Sequence, residues 1–252
     1  MKTLPTRIGL LVPTRDPVVE HDFQRFLPGE VSFHVERLPE ATDGKTATDY
    51  GLTLLCDAAP VKAKPLVALG AELLVFCCTS GSFFKGYGWD GKLASIIEAA
   101  AGVAALTTAT AVVEAFAALG TKRAFMVTPY PEKVNEREQT FFGAHGVEIN
   151  TFTSFECAHS HEIDKITAHQ IVERVLANQQ AIEDCDAVFV SCTALRSMDT
   201  IELLEHELDK PVVTSNAATI WATLRRLGVD TSKVPGGRLY RLPENKIQRE
   251  AS

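Results

Sequence analysis

The chain has 252 residues, of which 46% are hydrophobic and 23% are charged, proportions that are ordinary for a globular protein. Its formal net charge of −7 disfavours nucleic acid and anionic membrane surfaces as partners, because both repel an acidic protein. We find no signal peptide and no apolar run long enough to cross a bilayer, and the six cysteines form no CxxC pair. A cytoplasmic protein with reduced thiols is therefore expected.

Strand and helix patterns alternate along the whole chain. The predicted strands are residues 7–12, 31–36, 72–77, 103–106, 123–128, 147–152, 187–190 and 211–214. The predicted helices are residues 46–69, 93–101, 108–119, 132–145, 162–180, 195–207 and 217–227, and Pro60 and Pro65 are expected to break or kink the first of them. Regular alternation of this kind predicts an α/β fold with parallel sheets covered by helices on both faces.

Two cysteines in matching settings indicate that the chain is a duplicated lobe. Cys78 lies in AELLVFCCTSGSF and Cys192 in CDAVFVSCTALRS, 114 positions later. Each follows a short apolar strand, and open α/β sheets place their chemistry at the carboxyl ends of strands. Strand alternation sends Cys77 away from Cys78, so only one of the two can face a cleft. A single strand cysteine is usually a buried structural residue, but the matched pair predicts two thiols acting on opposite faces of one small substrate.

The expected lobes are residues 1–119 with the first thiol and residues 120–215 with the second, followed by a final helix and tail, 216–252, that packs back on the first lobe. Small and hydroxyl residues follow each thiol, Thr79 and Ser80 in the first lobe and Thr193 and Ala194 in the second. Their donors, with the helix start, would hold an anion and lower the pKa of the thiols. The cysteines without such a setting are interpreted as structural: Cys56, Cys157 and Cys185.

The turn after the first strand is a candidate substrate contact. It contains Pro13, Thr14, Arg15 and Asp16. Thr14 and backbone donors would hold a carboxylate, and Arg15 would add a bidentate contact. An ionised Asp16 would not bind an anion but would accept a hydrogen bond from an amino or hydroxyl group. The alternative is a proline-containing turn in which Asp16 caps a helix.

Other strand ends carry weaker signals. Tyr130 would donate to a carboxylate or an enolate-like intermediate, or is a partly buried core tyrosine. Residues 214–216 (TSN) either cap the last helix or form a polar wall of the cleft. His159 and His161 lack a second ligand cluster with zinc spacing, so a loop is favoured over a metal site. Without dinucleotide, phosphate-loop or nucleophile-elbow motifs, no cofactor is predicted.

Six stretches in the right order resemble the aspartate/glutamate racemase superfamily, and within it the branch of maleate cis-trans isomerase and arylmalonate decarboxylase. They are IGLLVPTRD (8–16), CCTSGSF (77–83), ALGTKRAFMVTPYPEKVNE (118–136), VSCTAL (190–195), PVVTSNAA (211–218) and VPGGRL (234–239). The resemblance implies two pseudo-symmetric α/β lobes, an active site between them and no cofactor. Racemases and maleate isomerases of this group keep a cysteine in both lobes, whereas arylmalonate decarboxylase keeps only the second. Tyr130 matches the family's substrate-binding tyrosine.

Two departures from the resemblance concern the substrate. Maleate isomerases carry carboxylate-binding asparagines where this chain has Asp16 and Ser160. Maleate itself is therefore disfavoured, and a substrate with an amino or acylamino group, as in the related ectoine-utilisation proteins, would suit Asp16.

Together these features predict a cofactor-independent isomerase or racemase of a small carboxylic acid, with Cys192 as nucleophile and Cys78 as partner acid/base. The alternatives are an arylmalonate-type decarboxylase, with Cys192 protonating an enediolate, and a non-catalytic two-lobed binding protein. Because many relatives self-associate, a homo-oligomer is expected.

Overall fold

The computed structural model describes residues 5–243. Its strands are β1 (Thr6–Pro13), β2 (Val31–Leu38), β3 (Leu73–Phe76), β4 (Ala105–Thr107), β5 (Arg123–Thr128), β6 (Glu148–Ser154), β7 (Ala187–Val190) and β8 (Val212–Thr214). Its helices are α1 (Val18–Phe26), α2 (Asp49–Ala68), α3 (Thr79–Phe83), α4 (Trp89–Ala101), α5 (Thr108–Leu119), α6 (Glu132–Ala144), α7 (Ser160–Ile163), α8 (Ala168–Leu176), α9 (Gln179–Ile182), α10 (Ile201–Leu208) and α11 (Ser215–Arg226). Short 3₁₀ turns occur at Met198–Thr200, Thr231–Lys233 and Arg238–Arg241.

The strands form two four-stranded parallel sheets with the same permutation, β2-β1-β3-β4 and β6-β5-β7-β8. Every residue of β3 (LLVF) and of β7 (AVFV) is buried, because helices cover both faces of each sheet. The predicted α/β fold of two similar lobes, one on β1–β4 and one on β5–β8, is confirmed. Corresponding strands in the two sheets therefore end at corresponding places.

An aromatic cluster joins the two lobes. Phe83 and Phe116 from the first lobe pack against Phe141, Phe142 and Phe189 from the second, with ring centroids 5.5–6.1 Å apart across the junction. Most of these contacts are edge-to-face, a geometry worth about 0.5–1.5 kcal/mol per pair beyond the buried area. The relative position of the lobes, and of anything between them, is thus held by a dry core.

The last helix, α11, is buried over most of its length and packs mainly against α5, with further contacts to α1. The Tyr240 hydroxyl donates to the carbonyl of Ala217 (2.8 Å), which ties the chain after α11 back to that helix. The lobe boundaries at 119 and 215 stay a prediction, and the predicted tail lies outside the described residues from position 244 onwards.

Several elements differ from the predicted ones. The helix α1 was not predicted, the predicted helix 162–180 is divided into α7, α8 and α9, and the predicted helix 195–207 begins only with a 3₁₀ turn at Met198–Thr200. Helix α2 runs without interruption through Pro60 and Pro65, although two ladder hydrogen bonds are lost there. Its long buried face outweighs that cost by packing on β1, β2 and α4. None of the helices within residues 5–243 has the length and hydropathy of a membrane span.

Candidate active site

The principal cleft lies at the carboxyl ends of the central strands and encloses about 740 Å³, counted out to its open mouth. Pro13 ends β1, and Cys78, Tyr130 and Cys192 each lie two residues beyond the ends of β3, β5 and β7. All four line the cleft. The shared permutation of the sheets thus brings both thiols to one cavity, at equivalent positions of the two lobes.

Cys78 begins helix α3. Its Sγ accepts the backbone N–H of Gly81 (3.4 Å) and lies 3.7 Å from the Ser80 hydroxyl. A Cβ on Gly81 would come within 3.2 Å of this sulfur and 3.1 Å of the Phe76 ring, which is tighter than most Cβ contacts, so the close approach favours glycine. Cys77 points into the core, as strand alternation predicts, and Cys78 faces the cleft.

Cys192 has a strained backbone, with φ of +105°, a region that residues with a Cβ rarely adopt. Its N–H donates to the Ser215 hydroxyl (3.0 Å), and the same oxygen accepts a hydrogen bond from Thr79 (2.9 Å). From the second lobe, Thr193 reaches the carbonyl of Cys77 (3.5 Å). Ser215 therefore links the turn after one thiol to the backbone of the other.

Burial dominates the ionisation of both thiols. It raises the pKa of Cys78 to about 11, although the N–H of Gly81 and the hydroxyl of Ser80 favour the thiolate. It raises the pKa of Cys192 further, against hydrogen bonds from the Tyr130 hydroxyl and the Ala194 backbone. The predicted lowering of the thiol pKa is therefore wrong for the ligand-free protein: the donors are present, but the loss of solvent outweighs them.

Asp16 is both a helix cap and a cleft residue. Its Oδ1 accepts the N–H groups of Val18 (2.9 Å) and Val19 (3.2 Å) at the start of α1. The side chain is only 3% exposed and lines the cleft. Burial is the largest influence on its pKa, which is raised. Arg37 donates to the Asp16 carbonyl (2.9 Å) and so fixes the turn.

Nine of the eleven residues predicted for the site line this one cleft: Pro13, Asp16, Cys78, Ser80, Tyr130, Ser160, Cys192, Thr193 and Ala194. Thr14 and Thr79 do not. The Thr14 hydroxyl donates to the carbonyl of Leu38 (2.6 Å) and extends the pairing of β1 with β2. The Thr79 hydroxyl donates a hydrogen bond to the hydroxyl oxygen of Ser215. Arg15 lies at the mouth, where it pairs with Glu40 (3.1 Å).

One wall of the cleft was not predicted. It consists of the segment 39–48 between β2 and α2, with Leu52 and Leu55 of α2. The N–H of Thr46 donates to the carbonyl of Ala158, and the N–H of Ser160 donates to the carbonyl of Gly44, both at 2.9 Å. We call residues 39–48 the strap. It joins the first lobe to the second along the cleft. Little in the sequence indicates this wall, since apolar residues three apart on α2 also suit a core.

The other polar residues that the sequence singled out support helix starts and the turn that holds Cys192. Thr214 caps α11 by accepting the N–H of Ala217 (3.1 Å), so the cap interpretation holds. Asn216 donates to the Asp22 carboxyl (2.7 Å) and to the Thr193 carbonyl (2.9 Å), beneath the second thiol turn. His159 precedes α7 and forms a reciprocal capping box with Glu162.

A buried carboxyl group that the sequence did not reveal lies on α6. Glu138 is fully buried, and its Oε1 accepts a hydrogen bond from Ser191 (2.5 Å), the residue before the second thiol. Its Oε2 has no hydrogen-bond partner among the described residues. Burial raises the pKa of Glu138 to about 8. The group also lies close enough to raise the pKa of Tyr130.

Comparison with known proteins identifies related enzymes. Arylmalonate decarboxylase of Bordetella bronchiseptica is 27% identical over 237 residues, which cover 92% of this chain and 95% of that protein. Maleate isomerase of Nocardia farcinica is 29% identical over 252 residues, which cover 93% of this chain and 95% of that protein.

Solved structures of the same two enzymes share the fold. A doubly substituted arylmalonate decarboxylase in its liganded form has a TM-score of 0.84 at 27% identity, with coverage of 93% and 98% of the two chains. The Nocardia farcinica maleate cis-trans isomerase with a covalently bound succinylcysteine intermediate has a TM-score of 0.86 at 24% identity, with coverage of 94% and 99%. The sequence profile of arylmalonate decarboxylase matches residues 8–240. This chain therefore belongs to the arylmalonate decarboxylase family and is an enzyme similar to maleate isomerase and arylmalonate decarboxylase.

Proposed function

We propose that the protein is a cofactor-independent isomerase or racemase of a small carboxylic acid that uses Cys78 and Cys192. The observation that carries this proposal is the arrival of one thiol from each lobe at the same cleft. A single thiol would serve as an acid or a nucleophile on one face of a substrate. Two thiols at equivalent positions of facing lobes supply both faces, which isomerisation and racemisation require.

In the isomerase reaction, the Cys192 thiolate adds to one carbon of the substrate double bond while Cys78 protonates the other. A carbon–sulfur bond and a carbon–hydrogen bond form, and the substrate rotates about the new single bond. Cys78 then removes the proton, the double bond re-forms and the Cys192 thiolate leaves. The covalent succinylcysteine named for the Nocardia relative supports such an adduct. In the racemase reaction, one thiolate removes the α-proton and the other thiol delivers one to the opposite face.

The surrounding groups support this chemistry. The Tyr130 hydroxyl contacts Cys192 and would stabilise negative charge on the sulfur or on an enolate-like intermediate. Ser80 at the start of α3, together with Thr193 and Ala194, would hold the substrate carboxylate. Such donors, fixed by short turns before the substrate arrives, need little rearrangement during the reaction.

Decarboxylation is the second candidate, because the family profile that matches this chain is that of arylmalonate decarboxylase. Leu52 and Leu55 of α2, with Ile163 of α7, give the cleft an apolar wall that would accommodate an apolar substituent. In this reaction the substrate loses carbon dioxide, and Cys192 protonates the resulting enediolate.

Proton NMR in deuterium oxide separates the candidates. The screen contains maleate, aspartate, glutamate, hydantoins, arylmalonates and ectoine-derived acids. Isomerisation changes the double-bond geometry, racemisation places deuterium at the α-carbon, and decarboxylation removes a carboxyl group. A binding protein without chemistry would leave every spectrum unchanged and would overturn the proposal.

Variants then assign the thiols. Cys192→Ala is expected to lower any of these activities by about three orders of magnitude or more. Cys78→Ala should have a similar effect on isomerisation or racemisation but should spare decarboxylation. Cys185→Ala, a buried thiol away from the cleft, is the matched control. Equal activity of the Cys78→Ala protein and the control in an isomerase or racemase assay would contradict the two-thiol mechanism.

The cellular setting completes the proposal. All six cysteines are free thiols, which suits the reducing cytoplasm. Self-association, expected from the resemblance to oligomeric relatives, is measured by light scattering after size-exclusion chromatography.

A further inference from the structure

The two carboxyl oxygens of Asp16 differ in their hydrogen bonding within the described part of the chain. Two backbone N–H groups saturate Oδ1, whereas Oδ2 is buried and has no hydrogen-bond partner among the described residues. A buried acceptor without a partner is costly, and native proteins rarely keep one without a reason. Because Asp16 lines the cleft, a bound ligand can reach this group.

The groups that face this carboxyl come from several elements. The start of α1 supplies the two N–H donors and the positive end of its dipole, which favour a carboxylate. Arg37 on β2 adds a positive charge, and the Thr193 hydroxyl, which reaches the Cys77 carbonyl only at 3.5 Å, also lies close enough to the carboxyl to favour its ionised form as a weak hydrogen-bond donor. The thiols of Cys78 and Cys192 also face it, as does the thiol of Cys77 from the core.

We propose that Oδ2 of Asp16 accepts a hydrogen bond from an amino or hydroxyl group of the substrate, so that the native substrate is an amino or hydroxy acid. A donor on the substrate would satisfy the unpartnered oxygen. A plain dicarboxylate would instead bring a second negative charge against it. This inference deepens the proposed function and rests on it only in placing the substrate in this cleft.

The substitution Asp16→Asn tests the idea without removing the cap. Asparagine caps helices about as well as aspartate, so its Oδ1 can keep the bonds to Val18 and Val19. The change therefore replaces the free acceptor by an amide donor and removes the negative charge, while the helix cap is kept. Glu40→Gln is the matched control, because Glu40 is another carboxyl that lines the cleft but pairs with Arg15.

Binding is measured by calorimetry in a Cys192→Ser background, which prevents turnover. The probes are two series that differ only in the donor: succinate, malate and aspartate, and phenylacetate, mandelate and phenylglycine. The second series uses the apolar wall. With Asp16 present, at least one donor-bearing acid should bind tenfold or more tightly than its parent. Asp16→Asn should abolish or reverse that preference, and Glu40→Gln should retain it. Malate and aspartate separate a hydroxyl from an amino donor.

Three results would overturn the inference. The first is that Asp16→Asn leaves the preference within each series unchanged. The second is that the Asp16 protein prefers succinate and that Asp16→Asn weakens succinate binding, as expected of a protonated Asp16 that binds a carboxylate. The third is that none of the six acids binds either protein. The proposed thiol chemistry is judged separately, by the activities of the Cys78→Ala and Cys192→Ala proteins, so either claim can fail while the other stands.

Discussion

The buried carboxyl of Glu138 should make the stability of the protein fall with rising pH. Burial raises the pKa of this group from the ordinary value of 4.5 to about 8, so the folded protein holds its proton where the unfolded chain has released it. The folded state then binds one more proton than the unfolded state between these two values. The stability that this group contributes is fully present below pH 4.5 and is lost as the pH rises through the folded pKa.

The size of this effect follows from the pKa shift. Each pH unit between the two values removes about 1.4 kcal/mol of folding free energy. The difference between 4.5 and about 8 corresponds to roughly 5 kcal/mol in total, and most of it is lost between pH 5 and pH 8, with a shallower slope close to pH 8. Because other carboxyl groups titrate over the same range, the native protein alone would not isolate this contribution. The difference in the free energy of unfolding between the native protein and a variant that lacks this carboxyl does isolate it.

The substitution Glu138→Gln provides that difference. Glutamine mimics the protonated side chain and keeps an acceptor for Ser191, but it does not ionise. Measured by urea unfolding at pH 5, 6, 7 and 8, the free-energy difference between the variant and the native protein should move in favour of the variant by about 1.4 kcal/mol per unit.

Glu136→Gln is the control for this experiment, because Glu136 is exposed on the same helix. It should show no comparable trend with pH. A difference between Glu138→Gln and the native protein that stays constant from pH 5 to pH 8 would refute the reasoning.

Three further predictions follow from the site. Alkylation of Cys78 by iodoacetamide should accelerate about tenfold per pH unit from pH 7 to 9, because the thiolate fraction rises tenfold per unit below its pKa of about 11; a plateau near pH 7 would contradict this. Ser215→Ala removes the acceptor for the backbone N–H of Cys192 and should lower kcat at least tenfold with little change in KM. Thr223→Val, which removes a buried hydroxyl that has no hydrogen-bond partner within residues 5–243, should not lower kcat. Ligand binding should slow amide exchange at Thr46, whose N–H belongs to the strap; exchange unaffected by a saturating ligand would argue against any role of the strap in retaining ligands.

Much of the fold follows from local pattern. The buried runs of β3 and β7 were recognisable because parallel strands covered on both faces consist of continuous apolar residues. The approximate place of the chemistry followed in turn, since residues two positions beyond such strands meet at one edge of a sheet. Strand alternation also showed that only one of Cys77 and Cys78 faces the cleft, and the hydroxyl-rich turn that follows Cys78 selected it.

Features that depend on packing between distant parts of the chain could not be predicted from local sequence patterns. The helical spacing of Glu138 from Val134 and Phe141 places it on the apolar face of α6, but the full burial of a carboxyl there, and its hydrogen bond to Ser191, depend on how α6 packs. The strap depends on hydrogen bonds between segments more than 100 residues apart along the chain. The direction of the thiol pKa shifts depends on how completely the lobes exclude water, which local donors at Thr79 and Ser80 do not reveal.

The duplicated lobes do not make the two thiols equivalent. Cys78 begins a helix with an ordinary extended backbone and a backbone N–H donor, whereas Cys192 has a strained φ and a tyrosine hydroxyl donor. Burial raises the pKa of both thiols, so each depends on its hydrogen-bond donors to carry a negative charge. Because the Tyr130 hydroxyl already contacts Cys192, a substrate that displaces the remaining water from the cleft would leave that thiolate with a preorganised donor. A symmetric fold thus gives the two thiols different donors, and the tyrosine hydroxyl at Cys192 is the one placed to stabilise charge on the sulfur that acts as nucleophile.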